Sequence, residues 1–214
     1  MIPLSTLITR VRTRYEAESG GSTIRWSDAR ITDYVNEGLE CLAEASKFYE
    51  RYCTIGIEEG RTYYDLRGFA PETVTSISSI WSTSRLQWLN ETTLTRLDNA
   101  WQMATGDPES YFTRGIYWLV VYPKPAATTG YLRVYFKGIP PRFSFPQAVL
   151  GELPADHFPA LEDYALYEMA ASDGQPKRAL IHWGSYAKRE KSLQDAVSRR
   201  LTPSTTGRIG GMAR

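Results

Sequence analysis

Apolar positions recur at three- and four-residue spacing toward both ends of the chain and alternate in its middle. Near the start, Leu4, Leu7, Ile8, Val11 and Tyr15 fall on one face of a helix. Ser5 is placed to cap it, because a serine hydroxyl can accept one of the first backbone N–H groups that have no intrahelical partner. Gly20, Gly21 and Ser22 end this helix, and Ser27 is set to cap a longer one. The second stripe is Ile31, Tyr34, Val35, Leu39, Leu42, Ala45 and Tyr49, with Asp33, Glu37, Glu40 and Glu44 outside it.

From Cys53 the period becomes two. Residues 53–66 predict a hairpin with Gly60 in its turn, and the β-branched run 73–81 predicts a strand. A short strand follows at 86–90, then a helix over 91–102 capped by Asn90 and burying Leu94, Leu97 and Trp101. Residues 106–111 make a turn before strands at 116–122 and 131–136, with Pro123, Pro125 and Gly130 between them. Tyr117 and Trp118 point to opposite faces of one strand, so something must cover the second face. After an extended return over 138–154, helical spacing resumes. Asp156 is placed to cap a helix that buries Phe158, Leu161, Tyr164, Ala165 and Met169. Gly174 and Pro176 punctuate it, and a last helix is expected to use Leu180, Trp183, Ala187, Leu193 and Val197.

Helices from both ends can pack together only if the β segment is an insertion. The expected fold is therefore α+β. Residues 1–52 and 152–201 form a four-helix bundle, 53–151 an inserted small antiparallel β domain, and 202–214 a flexible C-terminal arm. At 214 residues the chain is long enough to bury its own core. Its net charge is +1, so any electrostatic role must come from local asymmetry. That asymmetry exists: Asp33, Glu37, Glu40, Glu44 and Glu50 follow Asp28, whereas Lys177, Arg178, Lys188, Arg189, Lys191, Arg199 and Arg200 mark the last helix. No apolar run is long enough to span a membrane, and the polar N-terminus is unlike a signal peptide. Cys41 and Cys53 are too few for a disulfide scaffold and are expected as core thiols in a reducing compartment.

Candidate chemistry is sparse. His157 and His182 are not spaced with Cys, Asp or Glu as a metal centre requires, and Cys41 has no base near it in sequence. Gly207, Gly210 and Gly211 lack the flanking strand and helix of a phosphate cradle. The carboxylates lie mostly on solvated helix faces, and the Asn90 sequon comes without a secretion signal. No catalytic residue, metal or cofactor is therefore assigned. Aromatic residues make up 13% of the chain and crowd the β segment, where they serve as sheet core or as exposed anchors for a partner.

Five motifs in succession carry a family resemblance: 26–39 (WSDARITDYVNEGL), 63–66 (YYDL), 106–111 (GDPESY), 120–125 (VVYPKP) and 152–166 (ELPADHFPALEDYAL). Together they resemble head-to-tail adaptor (connector) proteins of short-tailed bacteriophages. The resemblance implies a structural virion protein of the neck, assembled in the host cytoplasm. It would form a ring of about twelve copies under the portal protein. Duplex DNA would pass through the lumen without specific binding, and a tail or nozzle protein would dock below. It also implies a C-terminal arm reaching the portal, for which Arg199, Arg200, Arg208, Ile209 and Arg214 are the candidates. Acid against base across the subunit seam would set register, with Glu37, Glu40 and Glu44 of one copy facing Lys188, Arg189 and Lys191 of the next. The rival readings are a carbohydrate-binding tail component that uses exposed aromatics, a hydrolase built on distant carboxylates, and a DNA-binding plug that uses the tail arginines.

Overall fold

Helix α1 (Leu4–Ser19) begins two residues earlier than a Ser5 cap would set it, because Pro3 occupies the cap. Proline brings a preset φ, and its carbonyl accepts the N–H groups of Thr6 and Leu7 at 3.0 and 3.3 Å. Ser5 lies inside the helix, its carbonyl taken by the Thr9 hydroxyl at 2.9 Å. The five expected stripe residues are all buried, and Gly20 closes the helix at φ +63°. The computed structural model describes residues 3–20, 26–70, 73–97, 100–115, 117–143 and 153–201, with 200 and 201 by backbone alone. The tail 202–214 and most of the extended return lie outside them.

Helix α2 (Asp28–Ser46) starts where Ser27 Oγ accepts the Arg30 N–H at 3.2 Å. Ile31, Tyr34, Val35, Leu39 and Leu42 are buried, but Ala43 replaces the exposed Ala45 in the stripe. Tyr49 is buried from outside the helix, which stops at Ser46 with Lys47 in the left-handed region at φ 55°. Cys41 is exposed, against expectation, and only Cys53 is a core thiol.

The chain divides into two units, Met1–Gly38 with Val149–Arg214, and Leu39–Ala148. In the first, α1 packs on α3 (Phe158–Ser172) and α3 on α4 (Pro176–Leu201). Helix α3 is buried around most of its circumference, as expected of a central helix. Each of Phe158, Leu161 and Met169 contributes about 1.5–3 kcal/mol relative to an exposed position. Asp156 does not cap α3. It sits in a 3₁₀ turn, Ala155–His157, and Pro159 supplies the preset first turn instead. Gly38 of α2 backs onto Tyr164, where an added Cβ would stand 2.9 Å from the ring.

Helix α4 corrects the predicted stripe by one residue. Its buried line is Ala179, His182, Tyr186 and Leu193, while Leu180, Trp183 and Ala187 are exposed and Val197 is half-buried. The rings of Tyr164, Tyr167, Trp183 and Tyr186 form a ladder between α3 and α4 with centroids 5.1 to 6.0 Å apart.

The second unit holds ten strands among the described residues. They are β1 (Glu50–Gly56), β2 (Tyr63–Asp65), β3 (Thr73–Ser82), β4 (Gln87–Trp88) and β5 (Asn90–Glu91), then β6 (Thr105–Gly106), β7 (Ser110–Arg114), β8 (Trp118–Tyr122), β9 (Lys124–Pro125) and β10 (Tyr131–Ile139). One sheet is antiparallel in the order β1-β10-β3-β4. A second runs β2-β8-β7-β5 with only β5–β7 parallel, and β6 and β9 form a parallel pair. Ile55, Ile80 and Val134 of the first sheet share one buried core with Tyr64, Leu119 and Val121 of the second. The unit is therefore two sheets face to face.

Two local expectations fail here. Residues 53–66 are not a hairpin: β1 pairs with β10 and β2 with β8, so the chain crosses from one sheet to the other. Gly60 still turns, at φ +73°. Both strands keep their inward alternation because Ile55, Ile57 and Tyr64 enter the same core. The described residues of 91–102 form no α-helix, only 3₁₀ turns at Leu94–Arg96 and Trp101–Met103. Asn90 and Thr92 donate to Glu109 and Tyr111 at 2.9 and 2.8 Å, so ladder bonds engage the backbone a cap would need. Leu94 is exposed, but Leu97 and Trp101 pack on Phe112 and Val120, covering the second face of the β7–β8 sheet.

Candidate assembly surfaces

The polar interior of the helical unit holds the residues that hydrophobic spacing missed. Asp163 of α3 is fully buried and accepts from Arg14 of α1 and Arg189 of α4, both at 2.8 Å. Arg14 also pairs with Glu18 at 3.0 Å, and Glu18 accepts from His182 Nε2 at 2.9 Å and meets Arg178 at 3.6 Å. Three helices are thus joined by one charge network. Tyr15 extends it by donating its hydroxyl to Asp173.

Burial pushes the His182 imidazole below its ordinary range and Arg14 adds to this, while Glu18 and Asp163 oppose it. Its Nδ1 is buried without a partner among the described residues, so a proton there would find no acceptor. The folded state therefore favours neutral imidazole. The corresponding stability is complete above the unfolded value of about 6.5 and is lost as pH falls through the lowered folded value. Urea unfolding at about pH 7.5 and about pH 5 should show a larger acid loss for wild type than for His182→Gln. Equal losses would contradict the assignment.

The sequence candidates separate into two groups. Arg189 belongs to the Asp163 network, and Glu40 is held in two-pronged fashion by Arg142 at 2.6 and 3.2 Å. Glu44, Lys188 and Lys191 are exposed and form no ion pair among the described residues. Glu37 lies beside Glu168, whose carboxyl is pushed up first by burial and then by Glu37. Lys188, Lys191 and Arg199 line a shallow concavity of about 330 Å³ along α4, together with Ser192, Asp195 and Ala196. Arg199 is helical rather than part of an arm. The Arg200 side chain, Arg208, Ile209 and Arg214 lie outside the described residues. By helical period the face of α4 turned from the core begins apolar, at exposed Leu180 and Ile181, and continues cationic at Lys188 and Lys191.

Residues 2–208 match the family described as SU10 adaptor protein. The chain belongs to the SU10 adaptor protein family. It is a structural adaptor of the bacteriophage particle, and association with portal and tail at the neck follows from that membership. No curated protein matches the chain. Among the described residues of this adaptor, no His, Cys, Asp and Glu side chains gather in a group able to hold a metal ion. No helix of the adaptor among them is long and apolar enough to cross a membrane. The geometry agrees with an assembly part in one specific respect: its strongest polar cluster is spent on joining its own helices, while uncompensated charge and apolar surface face outward.

Proposed function

We propose that this adaptor closes into a ring of about twelve copies beneath the portal, joins it to the tail or nozzle below, and leaves a channel for duplex DNA. The match to the adaptor family across residues 2–208 carries this reading. Helices of residues 1–52 and 152–201 form the four-helix wall, 53–151 the inserted β domain, and 202–214 an arm that reaches the portal. Assembly takes place in the host cytoplasm.

A ring needs two different faces that meet when rotated onto each other. Two helix faces are the candidates for such a pair. Glu37 and Glu44, one heptad apart on α2, would supply the acidic side, and the outward face of α4 would offer Lys188 and Lys191 beside apolar Leu180 and Ile181. Charge complementarity across that seam would set orientation, and the apolar end would supply burial. Arg189 and Glu40, already paired within the chain, add rigidity to each side rather than attraction across it. The test is charge reversal on portal particles. Lys188→Glu with Lys191→Glu should abolish rings, and adding Glu37→Lys with Glu44→Lys should restore them. Rings that form equally well in all variants would refute the seam.

A further inference from the structure

Alternation along the β1-β10-β3-β4 sheet buries one face and turns the other to solvent. On the outer face Tyr52 of β1 stands opposite Tyr135 of β10, Arg133 opposite Trp81 of β3, and Trp81 opposite Trp88 of β4. The rings form a continuous chain, with centroids 5.7 Å apart for Tyr52–Tyr135, 5.5 Å for Tyr135–Trp88 and 5.2 Å for Trp88–Trp81. Tyr52 is 58% and Trp88 52% exposed. Large contiguous apolar surface is seldom left in water without a partner, and Tyr, Trp and Arg are the residues that dominate binding energy at protein interfaces.

Arg133 sits within this aromatic face, its guanidinium 5.1 Å from the Tyr52 ring centroid. It forms no ion pair among the described residues, and its Nε is buried with no acceptor there. Tyr135 beside it raises its pKa against the opposing effect of burial, so the guanidinium stays charged. Lys137, a second cation on this face, pairs in strand register with Glu50 of β1 but forms no ion pair among the described residues. Arg133, the cation framed by the rings, therefore calls for a carboxylate with apolar neighbours.

We propose that this face docks an acidic protein segment, one carboxylate of which pairs with Arg133 while flanking apolar side chains seat between the rings. A glycan fits less well. Its faces stack on flat platforms, and these rings are mutually tilted by 44°, 53° and 75°. Nucleic acid fits less well again, because affinity there grows with the number of phosphates neutralised and the outward positions of β10 offer only Arg133 and Lys137. The inference rests on the adaptor reading only in taking the partner to be a protein.

The experiment probes short overlapping peptides from the structural proteins of the phage with the full-length adaptor, beside a glycan array. Wild type should bind a carboxylate-bearing peptide, with at least about tenfold loss for Arg133→Gln, for Trp88→Ala, and for a Glu/Asp→Gln/Asn copy of the peptide. Both variants must keep wild-type thermal unfolding, and a variant that fails is replaced by Arg133→Met or Trp88→Gln. Absence of bound peptides, binding indifferent to Arg133, or glycan binding lost in Trp88→Ala would overturn the proposal. Ring formation on portal particles is scored in parallel. Its failure in wild type would count against the adaptor reading alone.

Discussion

Asp163→Ala is expected to lower folding stability by about 2–4 kcal/mol, read as a fall in the urea midpoint. The carboxylate has no access to water and is shared by Arg14 and Arg189, so its removal unties α1, α3 and α4 at one point. Breaking a buried pair costs about 3–5 kcal/mol when the remaining charge is trapped. Here Arg14 and Arg189 keep 38% and 42% of their side-chain surface exposed and can turn outward, which lowers the cost. Replacing all three groups with apolar residues (Asp163→Leu, Arg14→Met, Arg189→Met) should recover most of the loss, because no desolvated charge then remains. A loss below about 0.5 kcal/mol for Asp163→Ala would show that the network contributes little.

Gly138→Ala is the second large effect, about 2–3 kcal/mol destabilising. Gly138 lies in β10 between β1 and β3, at a break in the β3 register. It donates its N–H to Tyr49 at 3.1 Å, and a Cβ there would fall 2.7 Å from the Thr73 carbonyl oxygen. That oxygen is backbone, so relief requires a strand to move. Gly56 of β1 is the control: an added Cβ meets nothing within 4 Å, and Gly56→Ala should stay within about 0.5 kcal/mol of wild type. Equal unfolding midpoints for the two variants would refute the steric account.

What the sequence made legible follows from how local each signal was. The α1 stripe could be read directly, because large apolar residues there also mark the buried face, and strand β3 was legible from its β-branched run although Trp81 faces outward and Ser82 inward. In α4 they do not. Leu180, Ile181 and Trp183 are exposed, and the inward line is completed by His182, held by Glu18, and bordered by Arg189, held by Asp163. A helix seam built from charge leaves no trace in hydrophobic spacing. The only hint was a histidine three residues after a small alanine and four before a tyrosine. Strand pairing was the other loss. Gly60 marks its turn plainly, yet Glu50 pairs with Lys137, a choice no local rule can make. The aromatic face depends on that same non-local pairing, since it brings Tyr52, Tyr135, Trp81 and Trp88 together from four strands. Of the charged candidates, Lys188 and Lys191 could be placed outward from composition, but nothing in the sequence told Arg189 apart from them.

The most direct measurement is single-particle electron microscopy of the purified adaptor bound to the portal protein of its phage. The predicted result is a closed ring with an opening wide enough for duplex DNA, in which Glu37 and Glu44 of each copy meet Lys188 and Lys191 of the next. A portal left bare, or a ring whose copies join through other faces, would contradict the account.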